Sequence, residues 1–321
     1  MIYLYNNSHR MNKFLPIVLV CLLCGCAGGG GKKAPVASVP EFPMVEVPSV
    51  LAEPQDRVDY MTEHFWDRFT GLSGQTDSAS VKGLPSAVVE EKFVFWVTLL
   101  KAASAPVMEK AVSKAVDAAR ADGDAVFGRF LDFADKHLYD PNSPGRNEEA
   151  YLALLNRALG GALPNEDMRQ RYEYCVSQCS LNRIGQRAAD FKFISREGRM
   201  MRLYDVEAPV MLLIFSNPGC PTCALYQENL QKNKPLQDAM RKGSFKVVNI
   251  YPDEDAQAWE DYVRTYPAEW VCGRDPLGQI HGGLYSLRAI PSLYLLDKDK
   301  KVILKDASYE EVEIKLYDLI F

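Results

Sequence analysis

Six consecutive apolar residues, Val210-Met211-Leu212-Leu213-Ile214-Phe215, run almost directly into Asn217-Pro218-Gly219-Cys220-Pro221-Thr222-Cys223. An unbroken apolar run bounded by turn residues predicts a strand buried on both faces, inside a sheet rather than at its edge. Pro221 suits the first position of a helix, where its missing N–H would have had no partner, so a helix is expected over Pro221–Lys242. Cys220 then sits at the helix N-terminus, where unpaired N–H groups and the macrodipole favour an anion, here a thiolate. Cys223 falls one turn inside, close enough to close a disulfide but less exposed. The roles separate: Cys220 attacks and Cys223 resolves. Lowering a thiol pKa from about 8.5 to about 7 raises the thiolate fraction at pH 7 from roughly 3% to roughly half. Lower nucleophilicity takes back part of that gain, so the motif mainly supplies a neighbouring resolving thiol. The same spacing also serves static disulfides and zinc sites. A four-thiolate zinc site from Cys175, Cys179, Cys220 and Cys223 would leave the Gly-Cys-Pro helix start without a purpose.

The compartment decides how cysteines are read. Met11-Asn12-Lys13 followed by the apolar stretch Phe14–Leu23 has the profile of a signal peptide and is too short to span a bilayer. Its end, Leu23-Cys24-Gly25-Cys26, resembles a bacterial lipoprotein cleavage box, with Cys26 as the lipidated first residue of the mature chain. The expectation is a lipid-anchored protein of the bacterial cell envelope that faces the periplasm, where disulfides persist. Of the eight cysteines, Cys21 and Cys24 leave with the leader and Cys26 carries lipid. Cys175, Cys179, Cys220, Cys223 and Cys272 remain, an odd number, so at least one thiol is free or pairs between molecules. A formal net charge of −5 in 321 residues, with no basic cluster interleaved with aromatics, argues against a nucleic-acid partner.

The chain is longer than a usual single domain. After the leader and lipobox (1–26), residues 27–54 are Gly- and then Pro-rich and read as a flexible tether. Residues 55–182 show helical periodicity, with Met61, Phe65, Trp66 and Phe69 on one face and further helices at Val88–Leu100, Pro106–Ala121, Ala125–Leu138, Glu148–Leu159 and Glu166–Cys179. Residues 183–321 alternate short strands and helices. Phe191–Ile194 and Met200–Leu203 flank a turn, Phe245–Tyr251 is a second buried strand, and Asp255–Tyr266 and Gln279–Leu287 are expected helices. Ser292–Leu296 and Val302–Lys305 read as a closing hairpin before the helix Tyr309–Leu319. The fold class is therefore an α/β domain, a mixed sheet flanked by helices, behind an all-α domain.

Three stretches carry a resemblance: Gly185-Gln186-Arg187-Ala188-Ala189-Asp190-Phe191, Cys220-Pro221-Thr222-Cys223, and Ile290-Pro291-Ser292-Leu293-Tyr294-Leu295-Leu296-Asp297. Residues 183–321 resemble a thioredoxin-fold domain of the membrane-anchored periplasmic type related to cytochrome-maturation reductases. The resemblance implies that Pro291 is cis and packs beside the CxxC, and that the Ile290 backbone pairs with the substrate peptide, flanked by Gly219 and Pro221. It also exposes departures. Gly219 stands where thioredoxins usually carry Trp, and Ile214 where they bury an Asp that helps deprotonate the resolving thiol. Resolution then needs another base, such as Glu228, a group from the helical module, or water. Asn217 occupies the place of the Thr that peroxide-reducing relatives need. The helical region, with Val248-Asn249-Ile250-Tyr251-Pro252-Asp253 and Trp259, resembles a domain of unknown function that precedes thioredoxin-like domains in lipoproteins of Bacteroides-type bacteria.

Cys175 and Cys179, four apart on one helical face, leave three arrangements open. They form an accessory disulfide, or one pairs with Cys272 or exchanges with Cys220, or both are free buried thiols. Cys272 reads as a small core residue and His281 as a lone surface histidine. The expected activity is thiol-disulfide exchange on exported proteins through Cys220 and Cys223, with an envelope redox partner and with no cofactor and no metal. The competing expectation is a non-catalytic, lipid-anchored binding or scaffold protein whose CxxC is a static bridge.

Overall fold

Apolar periodicity and helix breakers divide the computed structural model, which describes residues 41–321, into a helical module followed by a mixed sheet. The module opens with α1 (Pro54–His64), started by a proline at its first position, and the short α2 (Asp67–Thr70). The breaker Lys82-Gly83 is the turn of a small hairpin, β1 (Ser80–Val81) and β2 (Leu84–Pro85). Then come α3 (Ser86–Ala102), α4 (Ala105–Ala121) and α5 (Asp124–Ala134), which runs into a π turn at Asp135–Tyr139. The pair α6 (Glu148–Leu159) and α7 (Met168–Cys179) completes the module. Its core is aromatic: Trp66 meets Phe65, Phe69, Phe93, Trp96 and Phe130 at ring separations of 5.1 to 6.2 Å.

The tether expected over 27–54 needs correction at its end. Phe42 is buried, with its ring 5.5 Å from Phe69, 5.7 Å from Trp66 and 5.8 Å from Phe65. Proline-rich composition marked the backbone as non-helical, but one aromatic is enough to dock such a segment on an apolar cluster.

The second part contains β3 (Lys192–Ser195), β4 (Met200–Arg202), β5 (Val210–Phe215), α8 (Pro221–Lys232), α9 (Lys234–Arg241) and β6 (Lys246–Tyr251). These are followed by α10 (Ala256–Tyr262), β7 (Val271–Arg274), β8 (Ser292–Asp297), β9 (Val302–Lys305) and α11 (Tyr309–Ile320). The seven strands lie in the order β4-β3-β7-β6-β5-β8-β9, with β5, β6 and β7 parallel and the other pairs antiparallel. Every residue of β5 is buried, as its apolar run requires. Leu212 and Ile214 pack with Leu230, Leu236, Trp259, Val312 and Leu316 on one face. Met211, Leu213 and Phe215 pack with Phe191, Ile280, Tyr285 and Tyr294 on the other.

Three expected helices come out shorter. The helix expected over Pro221–Lys242 breaks at Asn233, whose side chain accepts from the Leu236 N–H at 3.2 Å and starts a new helix with Pro235 in its first turn. The helix over Asp255–Tyr266 finishes as a 3₁₀ turn at Val263–Thr265. That over Gln279–Leu287 is a single π turn, Ile280–Leu284, containing Gly283 at φ 106°.

The two parts meet through buried charge. Glu148, in the first turn of α6, faces Arg288 Nε at 3.0 Å and Lys305 Nζ at 2.7 Å, and Arg288 also meets Asp306 at 2.5 Å. These four side chains are 3 to 11% exposed and carry two charges of each sign. Burial pushes the Glu148 carboxyl up, and Lys305 and Arg288 oppose the shift. Lys305 Nζ also donates to the Cys179 and Leu181 carbonyls at 3.0 and 2.6 Å. Arg288 donates to the Tyr139 carbonyl and lies 4.6 Å from the Tyr139 ring. Such a cluster adds little over apolar packing, but removing one partner leaves a buried charge unpaired.

Phe42 gives this arrangement a direct test. Phe42→Ala is expected to destabilise the helical module by about 3 kcal/mol, measured by urea denaturation followed by circular dichroism. An unchanged midpoint would mean that the segment before α1 is not part of the core.

Candidate active site

Strand register brings the site together. Antiparallel pairing of β5 with β8 sets Phe215 opposite Ser292. The chain leaving β5 therefore passes beside Ile290 and Pro291, the residues that enter β8, and the bond between these two is cis. Cys220 Sγ lies 3.8 Å from the Ile290 carbonyl oxygen. Between strand and helix the backbone makes a tight turn in which the Cys220 N–H donates to the Asn217 carbonyl at 3.3 Å. Gly219 has φ +75° there, and no heavy atom lies within 4 Å of where its Cβ would be. Pro218 followed by a positive-φ glycine is the pattern of a type II turn. The glycine that replaces the usual tryptophan thus answers a backbone requirement rather than a lack of space.

Cys220 caps α8. Its sulfur accepts the Cys223 N–H at 3.2 Å, and Pro221 occupies the first turn. A sulfur held by a helix-terminal N–H is placed to carry negative charge when reduced. Cys220 and Cys223 stand at disulfide distance with Cα atoms 5.3 Å apart. Cys220 is half-buried and Cys223 buried, while Gly219 and Pro221 are exposed around them. The two sulfurs therefore differ in access, with Cys220 the more open of the pair.

The parallel pairing of β5 with β6 adds residues that the sequence reading did not assign to the site. Both strands end at the same edge, so Asn217, two residues past β5, meets Asp253, two residues past β6. Asn217 Nδ2 donates to Asp253 Oδ2 at 2.6 Å, and Asp253 Oδ1 meets His281 Nε2 at 2.7 Å. His281 is exposed but not isolated. The signal available in the sequence was a polar residue two positions after each of two buried strands. Next to Ile214 across the sheet stands Asn249, whose Oδ1 accepts from Ser216 at 2.7 Å, and Ser216 meets the Tyr266 hydroxyl at 3.0 Å. Burial raises the Tyr266 phenol above its ordinary value. The polar groups beside Ile214 are thus neutral hydroxyl and amide groups. Glu228 is exposed and pairs with Lys232 one turn on, at 2.5 Å. It is not the missing base.

The other thiols stay apart from this site. Cys175 and Cys179 are free and buried, which corrects the accessory disulfide. Residues four apart in a regular helix hold their Cβ atoms about 5–6 Å apart, whereas a disulfide needs about 3.5–4.5 Å. Burial pushes the Cys179 thiol up to about 12. Cys272 lies within β7 and is free and buried. Burial pushes its thiol up to about 11 against the pull of Arg196, which donates to the sulfur at 3.1 Å. Cys26 lies outside the described residues. Among the described residues no helix is long and apolar enough to cross a membrane.

Residues 28–182 match the model of a domain of unknown function (DUF5106), and residues 184–305 match the AhpC/TSA family. A solved thioredoxin-like protein from Bacteroides caccae ATCC 43185 is similar over 88% of this chain and 99% of its own, with 31% identity and a TM-score of 0.78. The thiol-disulfide oxidoreductase ResA of Bacillus thuringiensis (strain Al Hakam) is 25% identical over 152 residues, 47% of this chain and 81% of its own. That of Bacillus anthracis is likewise 25% identical over 152 residues, 47% of this chain and 81% of its own. The fold is thioredoxin-like: a mixed sheet flanked by helices, preceded by a helical domain.

Thiol access can be read directly. In the reduced native protein at pH 8, iodoacetamide is expected to modify Cys220 first and Cys223 more slowly, with Cys175, Cys179 and Cys272 modified only after denaturation. A thiol raised to about 11 or 12 is almost wholly protonated at pH 8. Peptide mass spectrometry reads the order, and early modification of Cys272 or Cys179 would contradict these environments.

Proposed function

Because the chain belongs to the thioredoxin-like family, as an AhpC/TSA-type domain behind a DUF5106 domain, we propose that it is a thiol-disulfide oxidoreductase of the bacterial envelope. One observation supports this reading most: Cys220 caps α8 with its sulfur 3.8 Å from the carbonyl that precedes a cis proline. A static bridge has no use for an open main-chain group beside it.

The Cys220 thiolate attacks one sulfur of a substrate disulfide. That S–S bond breaks, a mixed disulfide forms, and the other substrate sulfur leaves as a thiolate that takes a proton from water. Cys223, once deprotonated, attacks Cys220 and releases the second substrate thiol. The substrate gains two electrons and two protons, and Cys220 and Cys223 are left oxidised. A dithiol redox protein of the same compartment restores them; run in reverse, the sequence oxidises a dithiol. The neutral surroundings of Ile214 make deprotonation of Cys223 the slow event, with water as its base. The Ile290 backbone, beside Gly219 and Pro221, docks the extended substrate chain.

The leader and Leu23-Cys24-Gly25-Cys26 support an envelope location with a lipid anchor on Cys26, and exported proteins as substrates. In cells, a Cys223→Ser variant is expected to accumulate mixed disulfides with a limited set of exported proteins in the membrane fraction. Replacing residues 1–26 with a cleavable secretory leader that lacks the lipobox should move those adducts to the soluble fraction. Non-reducing gels followed by mass spectrometry read both effects. An absence of adducts would favour a structural bridge in a binding protein, and adducts that stay with the membrane after the leader exchange would remove the lipid anchor.

A further inference from the structure

Building on the oxidoreductase reading, we propose that Glu148 of the helical module is a positioning residue for the substrate dock at Ile290-Pro291. On this view the module completes the active site from outside the sheet. Both flanks of the cis-proline turn are tied to the buried charge cluster. Two residues before Ile290, Arg288 meets Glu148 at 3.0 Å and Asp306 at 2.5 Å. Directly after Pro291, the Ser292 hydroxyl lies 3.4 Å from the other oxygen of Asp306. A third tie comes from Arg146, just before α6, whose Nε donates to the Asp306 carbonyl at 3.0 Å.

The register of β5 against β8 sets where Ser292 lies, but it does not reach Ile290, which precedes the strand. The direction of the Ile290 carbonyl depends on how Arg288 is held. Arg288 has partners on two sides: Asp306 within its own domain, and Glu148 with the Tyr139 carbonyl from the helical module. Removing the Glu148 charge leaves Arg288 and Lys305 facing Asp306 alone. A buried excess of positive charge is relieved by moving one cation toward water. Lys305 keeps the Cys179 and Leu181 carbonyls and Arg288 keeps Asp306 and the Tyr139 carbonyl, but only Arg288 lies on the segment that leads into the dock, so the dock moves when Arg288 shifts. Displacement of a positioning element by about 1 Å can cost around a hundredfold in rate.

The cysteine couple does not share these contacts, so the two can be separated by experiment. Glu148→Gln keeps the shape of the side chain and removes its charge. With dithiothreitol as electron source and insulin as the protein disulfide, E148Q is expected to lose at least about tenfold in kcat/KM, mainly through KM. Its equilibrium constant with glutathione should change by less than about twofold. Hydrogen exchange read by mass spectrometry should show faster exchange of the 288–293 amides in E148Q and unchanged exchange around Cys220–Ala224. A folded E148Q with insulin kinetics within twofold of the unaltered protein overturns the proposal. So does an equal loss in both readouts, which would place the defect in the couple itself.

If E148Q does not fold, Glu148→Asp carries the same readouts, because it keeps the charge but draws it back by one methylene from Arg288; insulin kinetics within twofold of the unaltered protein would then overturn the proposal. In E148Q/K305Q, which leaves one buried charge of each sign, Arg288 is no longer driven outward and insulin reduction is expected to recover; a loss as large as that of E148Q would overturn the proposal. If the unaltered protein reduces neither insulin nor oxidised glutathione, the oxidoreductase reading fails. The exchange of the 288–293 amides then decides alone whether Glu148 positions the turn.

Discussion

Antiparallel pairing of Phe215 with Ser292 is the contact on which the site depends. It brings the residues that enter β8 beside the turn that carries Cys220, and leaves the direction of the Ile290 carbonyl to the contacts of the loop before the strand. The pairing is hard to shift, because a slip of one residue would turn Met211, Leu213 and Phe215 out of one apolar layer and into the other. Parallel pairing of β5 with β6 adds the second constraint, delivering Asn217 and Asp253 to the same edge. The place of the Cys220 turn and of the residues before β8 follows from these two registers.

Much of this was legible in the sequence, for identifiable reasons. A run of six apolar residues can hardly be anything but a buried strand, and a Gly-Cys-Pro sequence after it marks both a turn and a helix start. The helical faces were legible because each repeats its apolar residues over several turns. What escaped were features that depend on a single residue or on distance in space. Phe42 docks by one aromatic ring, and Asn233 ends a helix by one side-chain hydrogen bond. His281 read as solitary because Asp253 lies 28 positions away in the chain. Cys175 and Cys179 invited a bridge by their spacing, and helix geometry holds them too far apart for one.

The charge cluster between the two parts was the least legible element. Nothing in the spacing of Glu148, Arg288, Lys305 and Asp306 along the chain brings them together, yet they form a neutral buried set. As a source of stability the set is poor, since apolar residues of similar volume would do as well. Its geometry gives it a different value. Arg288 donates to Asp306 and to the Tyr139 carbonyl, with the Glu148 carboxylate beside its Nε as a charge contact, so the side chain is held from both parts of the chain. Rigidity of this kind suits a loop that must present one carbonyl to a substrate in a fixed orientation. On the proposal made for Glu148, the helical domain acts at a distance from the sulfur atoms.

The measurement closest to the centre of this account is the equilibrium of Cys220 and Cys223 with glutathione, each redox state counted by alkylation and mass spectrometry. An exchanging couple whose attacking sulfur caps a helix should titrate reversibly, with a midpoint between about −120 and −270 mV, the range of known exchanging couples. A pair that stays oxidised below about −300 mV would be a structural disulfide, and the chain would then be a scaffold built on a redox fold.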